Sequence, residues 1–323
     1  MEKIKYIDLF CGIGGFRIGF EQACKKFNLI PESVFASDND PYCQFVYQEN
    51  FGEKPFGDIT KINEKDIPDH DVLLAGFPCQ PFSIIGQMKG FEDTRGTLFF
   101  DIARILKEKQ PKAFILENVK QLVGHDKGRT LKTILKTLDD LGYNVNYSVL
   151  NALDYGLPHK RERIFIVGHR EPIFYRFPDP IRPFKPLEDI LEENVDKKYY
   201  ASEKIRNKRK NKHSSAYKVS IWHENKSGNI CSYPYSCALR AGASYNYLLV
   251  NGERRLTPRE MLRLQGFPDS FKIVVSDMQV RKQTGNAVPV NLVREVAIKL
   301  LPFVARSIPK DYLLKAFEVS AHG

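Results

Sequence analysis

Nowhere in the 323 residues is there an unbroken apolar run of about 18 residues, the length a bilayer-spanning helix needs, so no such helix is expected. Cysteine is sparse and out of pattern. Cys11, Cys24, Cys43, Cys79, Cys231 and Cys237 form no CxxC pair, and no His/Cys spacing of the zinc-site kind occurs, so no metal is expected. The N-terminal MEKIKYIDLF enters a strand pattern at once and shows no signal-peptide pattern. A cytoplasmic, reducing location is therefore expected, with most thiols buried and unpaired. No internal repeat is present.

Acidic residues are outnumbered, 39 Asp and Glu against 49 Lys and Arg, which leaves a formal charge of +10. Most of the excess lies in KKYYASEKIRNKRKNKHSSAYK (197–218), where Glu203 is the only acid. Such a stretch is either a solvated surface segment or a phosphate-binding patch for nucleic acid, and charge by itself does not choose. Hydrophobic content of 42% and charged content of 27% are globular values. The length allows one large domain and a smaller one.

Residues 4–170 alternate short apolar runs with helical periodicity, which predicts an α/β fold with a mostly parallel sheet. The strand candidates are 5–10, 33–37, 71–77, 113–119, 145–150 and 163–168. Between them run apolar stripes at helical spacing: Phe16, Phe20, Ala23, Cys24 and Phe27; Leu98, Ile102, Ile105 and Leu106; Leu131, Ile134, Leu135, Leu138 and Leu141. From about 171 the pattern fails. FYRFPDPIRPFKP (174–186) reads as a linker or domain edge, and 217–250 has no helical period. Thr257 before Pro258 predicts a capped helix, and another is expected from near Pro289.

Three clusters carry chemistry. In DLFCGIGGF (8–16) a strand runs into Gly12, Gly14 and Gly15 and then a helix, a place where a ligand can approach the backbone. Asp38 ends the next strand, where an acid can hold ribose hydroxyls, and Asp58 comes at a further strand-like position. The full GxGxxG spacing is not met, which favours a nucleoside-containing cofactor over a dinucleotide. In AGFPCQPFS (75–83), Cys79 stands between Pro78 and Pro81 where a buried strand ends, placed for chemistry rather than packing. Glu117 and Asn118 end another apolar strand, an expensive place for a carboxylate without a partner. Strand ends of a parallel sheet share one rim, so Cys79 and Glu117 are expected to meet there, unless they are a buried thiol and a structural ion pair. The third cluster, KRERIF (160–165), alternates Arg161 and Arg163 with Glu162. The two arginines either edge a solvated strand or face the rim and bind a carbonyl or phosphate.

With these residues in view, the chain resembles the bacterial DNA (cytosine-5)-methyltransferases of restriction-modification systems. The shared motifs are DLFCGIGGF, GFPCQPFS, ENV, NALDYGLPHKRERIF, RRLTPREMLRLQGFP and QTGNAVPVN, in that order from Asp8 to Asn291. Around 171–250 there is no close match; in this family that region holds the target-recognition domain. The resemblance implies a Rossmann-like domain over 1–180 and 280–323, with target recognition and hinge over 181–279. It implies that Cys79 adds to C6 of a cytosine flipped out of duplex DNA, so that C5 can accept a methyl group from S-adenosylmethionine. Glu117 would protonate N3, Arg163 would hold the O2 carbonyl with Arg161 in support, and Pro78 and Asn118 would brace the nucleophile.

For the cofactor, the resemblance points to Phe10, Gly12, Ile13, Gly14, Gly15, Asp38, Asn39, Asp58, Ile59, Pro78, Leu98, Asn286 and Val288. Asp38 stands where the family usually has glutamate, and Asn39 where a member has tryptophan beside the adenine. DNA contacts are expected from Ser83, Lys89 and Arg95 in a glycine-bearing loop (80–97), and from Arg240, Ser244, Tyr245 and Asn246. A monomer is expected, with a separate cognate endonuclease as possible partner. Methylation of tRNA and a catalytically silent DNA-binding role are the alternatives.

Overall fold

The computed structural model describes residues 1–78, 98–181 and 183–309. Cys79, Ser83, Lys89 and Arg95 lie outside the described residues.

Six strands make the central sheet: β1 (Lys3–Leu9), β2 (Ile30–Ser37), β3 (Val72–Gly76), β4 (Ala113–Val119), β5 (Asn144–Asn151) and β7 (Glu162–His169), in the order β2-β1-β3-β4-β7-β5. Only β7 runs against its neighbours β4 and β5; the others are parallel. A Rossmann-like α/β architecture follows.

Alternation along the strands sorts their side chains to two faces. Ile4, Tyr6, Val72, Leu74, Ile115 and Val167 face α1 (Gly15–Lys26) and α8 (Val290–Leu300). Ile7, Leu9, Leu73, Ala75, Leu116 and Ile166 face α3 (Leu98–Lys109) and α4 (Arg129–Asp140). The three helix stripes read from sequence lie on these faces. α1 and α8 lie so close that a side chain on Gly19 would stand 2.7 Å from the Val290 carbonyl. A helix absent from the apolar stripes, α2 (Pro41–Phe51), is set by its cap: Asp40 accepts from Tyr42 N at 2.9 Å, and Pro41 takes the first position.

The smaller lobe holds an antiparallel sheet of β11 (Leu248–Val250), β8 (Ile221–Glu224) and β9 (Ile230–Tyr233). Its core includes Leu187, Ile190, Ile221, Leu239, Val250 and Leu264. The short β6 (His159–Lys160) pairs in parallel with β10 (Ser236–Cys237) and ties the lobes together. At α6 (Pro258–Leu264), Thr257 and Glu260 form the expected cap reciprocally. Leu262, Phe267, Phe271 and Val280 pack with Ile13, Cys43 and Val46 of the large lobe. α7 (Asp277–Asn286) follows.

The basic stretch 197–218 is not one cationic face. Lys198 reaches Asp277, Arg206 and Lys210 share Glu253, and Lys208 and Arg209 share Glu224. Arg209, on α5 (Glu203–Lys210), is buried and also donates to the Asn246 carbonyl. Lys197, Lys204, Lys212 and Lys218 remain exposed.

Candidate active site

The carboxyl ends of β1, β2, β3 and β4 open on one rim, and because β7 runs the other way, its first residues reach the same rim. β1 feeds β2 on one side, while β3 returns on the other, the switch point where such sheets bind ligands. A cavity of about 560 Å³ lies there, within the usual size for small-molecule ligands. Phe10, Gly12, Ile13, Gly15, Asp38, Asn39, Asp58, Ile59, Pro78, Leu98, Asn286 and Val288 line it, as do Glu117, Asn118, Arg161 and Arg163.

At one end the groups are acidic. Asp38 Oδ2 accepts from Gly12 N at 2.8 Å and Oδ1 from Asp40 N at 2.8 Å, which ties the turn after β1 to the end of β2. Burial raises the Asp38 carboxyl above its ordinary range, and those amide bonds pull the other way. Asp58 is not on a strand. It caps a short 3₁₀ turn (Ile59–Lys61), with Oδ1 accepting from Thr60 N at 3.0 Å and Thr60 Oγ1 at 2.8 Å. The Thr60 bonds hold the Asp58 carboxyl below its usual range. Phe10 takes a left-handed backbone, φ 55°, a strained conformation of the kind that clusters at functional sites. Gly14 does not line the cavity. It begins α1 at φ 83°, with Phe51 where a side chain would stand.

At the other end sit the groups suited to proton transfer. Glu117, 7% exposed, is paired with Arg163: Nε lies 2.9 Å from Oε1. The register explains the meeting, since Val119 opposes Arg163 and Glu117 opposes Phe165 on antiparallel strands, so side chains two apart share a face. Burial pushes the Glu117 carboxyl up, against the pull of Arg163 and then Arg161. Asn118 donates to the Phe77 carbonyl at 2.9 Å, just ahead of Pro78. Cys79, the next residue in the sequence, lies outside the described residues, so its meeting with Glu117 is not described.

Arg161 lines the same cavity as Arg163 but is held differently. It precedes β7, is 1% exposed, and donates to the carbonyls of Leu239 at 3.0 Å, Gly285 at 2.9 Å and Ala287 at 2.8 Å. Its Nη1 and Nη2 thus serve these carbonyls, while Nε is buried without a hydrogen-bond partner among the described residues. Among the described residues no group of three His, Cys, Asp or Glu side chains could hold a metal ion.

In the small lobe Arg240, Ser244 and Tyr245 are exposed. Arg240 and Tyr245 line a second hollow of about 210 Å³ with Lys198, Arg255 and Arg281. Asn246 differs from the expectation: its side-chain Oδ1 is buried without a hydrogen-bond partner, and its carbonyl is taken by Arg209. Sequence reasoning missed Lys282, which lines the cavity and pairs with Asp40 at 2.7 Å, and Phe16 and Phe77, which form its apolar wall. Phe16 carried no separate signal, because it also belongs to the core stripe of α1.

The model of the C-5 cytosine-specific DNA methylases matches residues 4–301. The chain is 58% identical over 311 residues to the type II methyltransferase M.NgoBI of Neisseria gonorrhoeae, spanning 95% of this chain and 96% of that one. It is 54% identical over 316 residues to M.HaeII of Haemophilus aegyptius, spanning 97% of each. A Spodoptera frugiperda DNMT2 structure overlays with a TM-score of 0.71 at 22% identity, over 93% of this chain and 99% of that one, a likeness of fold. The chain belongs to the C-5 cytosine-specific DNA methylases and is a DNA (cytosine-5)-methyltransferase of the restriction-modification type.

Proposed function

We propose that this enzyme flips a cytosine out of a short, specific sequence in double-stranded DNA and methylates it at C5 through a covalent adduct with Cys79. The observation that carries the reading is the Glu117–Arg163 pair at the rim, 2.9 Å apart, with the Glu117 carboxyl raised by burial above its ordinary range. A carboxyl in that state can protonate N3 as the Cys79 thiolate bonds to C6, and the guanidinium beside it can hold the O2 carbonyl. The electron pair released from the C5–C6 double bond then makes C5 nucleophilic. After methylation, loss of the C5 proton to water restores the double bond and expels the thiolate, and N3 returns its proton to Glu117.

S-adenosylmethionine, when bound, supplies the methyl group. The cavity fits it in size and in chemistry: Asp38 would accept from ribose hydroxyls, Asp58 from the adenine amine, and Phe10, Ile13 and Ile59 would flank the base. Among the described residues no hydrogen bond engages Asp58 Oδ2, which leaves an acceptor for that amine. Arg240, Ser244 and Tyr245 would face the DNA, and the exposed lysines of 197–218 its phosphates. The methylated sequence would be the one a cognate endonuclease cuts.

Duplex DNA carrying 5-fluorocytosine has no C5 proton to lose and should trap the adduct. Expected is a cofactor-dependent covalent complex with the wild-type chain and none with Cys79→Ser. A complex formed by Cys79→Ser, or methyl transfer to tRNA with none to DNA, would overturn the reading.

A further inference from the structure

Leu239 is gripped at both ends of its backbone by residues that lead into β7. Its N–H donates to His159 Nε2 at 3.2 Å, and its carbonyl accepts from Arg161 Nη1 at 3.0 Å. The other ring nitrogen, His159 Nδ1, lies 3.1 Å from the Leu264 carbonyl at the end of α6. Only one neutral tautomer satisfies both partners: the proton sits on Nδ1, and Nε2 accepts. Burial, followed by the charges of Arg161 and Arg163, keeps the ring from taking a second proton.

These bonds fix a larger piece. Ser236 and Cys237 pair with His159 and Lys160 in register, so 159–161 hold 236–239 as one strand holds the next. Beyond Leu239 the chain is closed on itself: Arg240 N donates to Tyr247 Oη at 3.0 Å, and the Arg240 guanidinium lies over the Tyr247 ring. The 240–247 segment therefore has its shape set locally and its placement set at Leu239. A side chain on Gly285 would collide with the Ala241 backbone, so α7 closes the segment from the other side. Two residues after Arg161, Arg163 enters its pair with Glu117.

We propose that His159 is a positioning residue for sequence discrimination: by holding the Leu239 N–H it sets where Arg240 and Tyr245 stand relative to the Glu117–Arg163 rim. The inference rests on the reading that this segment faces DNA. Glu117 and Arg163 sit on the paired strands β4 and β7 of the main sheet, and the His159 bonds to Leu239 and Leu264 involve neither. Loosening those bonds should move the reading side chains while leaving the reacting groups in place.

The test first finds the methylated sequence of the wild-type chain by bisulfite sequencing of unmethylated plasmid DNA. It then measures kcat and KM on that duplex and on duplexes changed by one base pair. His159→Phe keeps the ring and removes both bonds; His159→Asn can keep a donor for Leu264 while losing the acceptor for Leu239. Either variant that folds by thermal melting is expected to lose about tenfold in discrimination, the equivalent of one hydrogen bond's differential effect. The loss should come through KM for the target DNA, with kcat and cofactor affinity within about threefold. His159→Gln, which can both donate and accept, is expected to restore discrimination. Unchanged discrimination in the variants, a fall in kcat alone, or failure of His159→Gln to restore it would overturn the inference. A wild-type chain that methylates no DNA would overturn the functional reading itself, and the inference with it.

Discussion

Asn118 ties the end of β4 to the end of β3: its Nδ2 donates to the Phe77 carbonyl at 2.9 Å, while its Oδ1 accepts from Val119 N at 2.8 Å. Both ends of one buried amide are thus engaged, one of them immediately upstream of Pro78 and Cys79. Asn118→Asp keeps the acceptor and loses the donor, and it adds a charge beside Glu117. Small displacements of a reacting group cost rate steeply, about a hundredfold per ångström. Single-turnover methyl transfer by Asn118→Asp is expected to fall by about that much. Cofactor affinity, measured by calorimetry, should stay within about threefold. A rate near wild type would mean that the Phe77 carbonyl needs no tether.

Glu117 governs the pH response. Burial raises its carboxyl, so the protonated, donating form persists to higher pH than an exposed glutamate would allow. The single-turnover rate should therefore be full below that raised value and fall as pH climbs through it. Glu117→Gln has no proton to lose: its alkaline limb should flatten, and its rate should drop by about 10²- to 10⁴-fold, the usual worth of a general acid. Stopped-time assays from pH 6 to 9 would separate the two effects. An alkaline limb that survives in Glu117→Gln belongs to another group.

Much of this site was readable before any coordinates because the chemistry and the strand ends coincide. Asp38, Glu117 and Asn118 are polar residues closing apolar runs, and the sheet order brings those ends together. Other parts were not readable, for physical reasons. α2 has no sustained apolar stripe, so the sequence pattern did not reveal it; in the structure the Asp40–Pro41 cap sets where it starts. Arg161 and Arg163 look alike in sequence, yet one is fixed on three carbonyls between the lobes and the other on a carboxylate. That difference depends on Leu239, Gly285 and Ala287, all more than 70 residues away. Asn246 looked like a base reader because of its amide, yet the oxygen of that amide is buried without a partner.

Asp38 should dominate cofactor affinity. Its carboxylate already orders Gly12 and Asp40 through their amides, so a ligand meets a preformed acceptor rather than a mobile one. Asp38→Ala removes an ionised acceptor whose hydrogen bonds are worth about 1.5–3 kcal/mol, so S-adenosylmethionine should bind about 10- to 100-fold more weakly by calorimetry. Asp38→Asn keeps one acceptor oxygen and should fall between. Equal weakening by both variants would point to the charge rather than the geometry.

Asp8 is fully buried on β1, with the Arg17 backbone nearby but no well-formed hydrogen bond to either carboxyl oxygen among the described residues. Burial pushes its carboxyl well above the ordinary range, against the pull of Arg17 and with the charge of Asp38 adding to the rise. In the unfolded chain the same group ionises near the ordinary aspartate value, about 3.9. Between these two values the folded state binds more protons than the unfolded one, so stability declines as pH rises through that window. Asp8→Asn has nearly the same shape and no proton to lose. Urea unfolding at pH 4 should give the two proteins similar stability. Toward pH 8 the variant should gain on wild type by up to about 1.4 kcal/mol per pH unit, until the folded value is passed. A gap between the two urea midpoints that stays constant from pH 4 to 8 would show that Asp8 ionises at the same pH in both states, and that Arg17 fully offsets its burial.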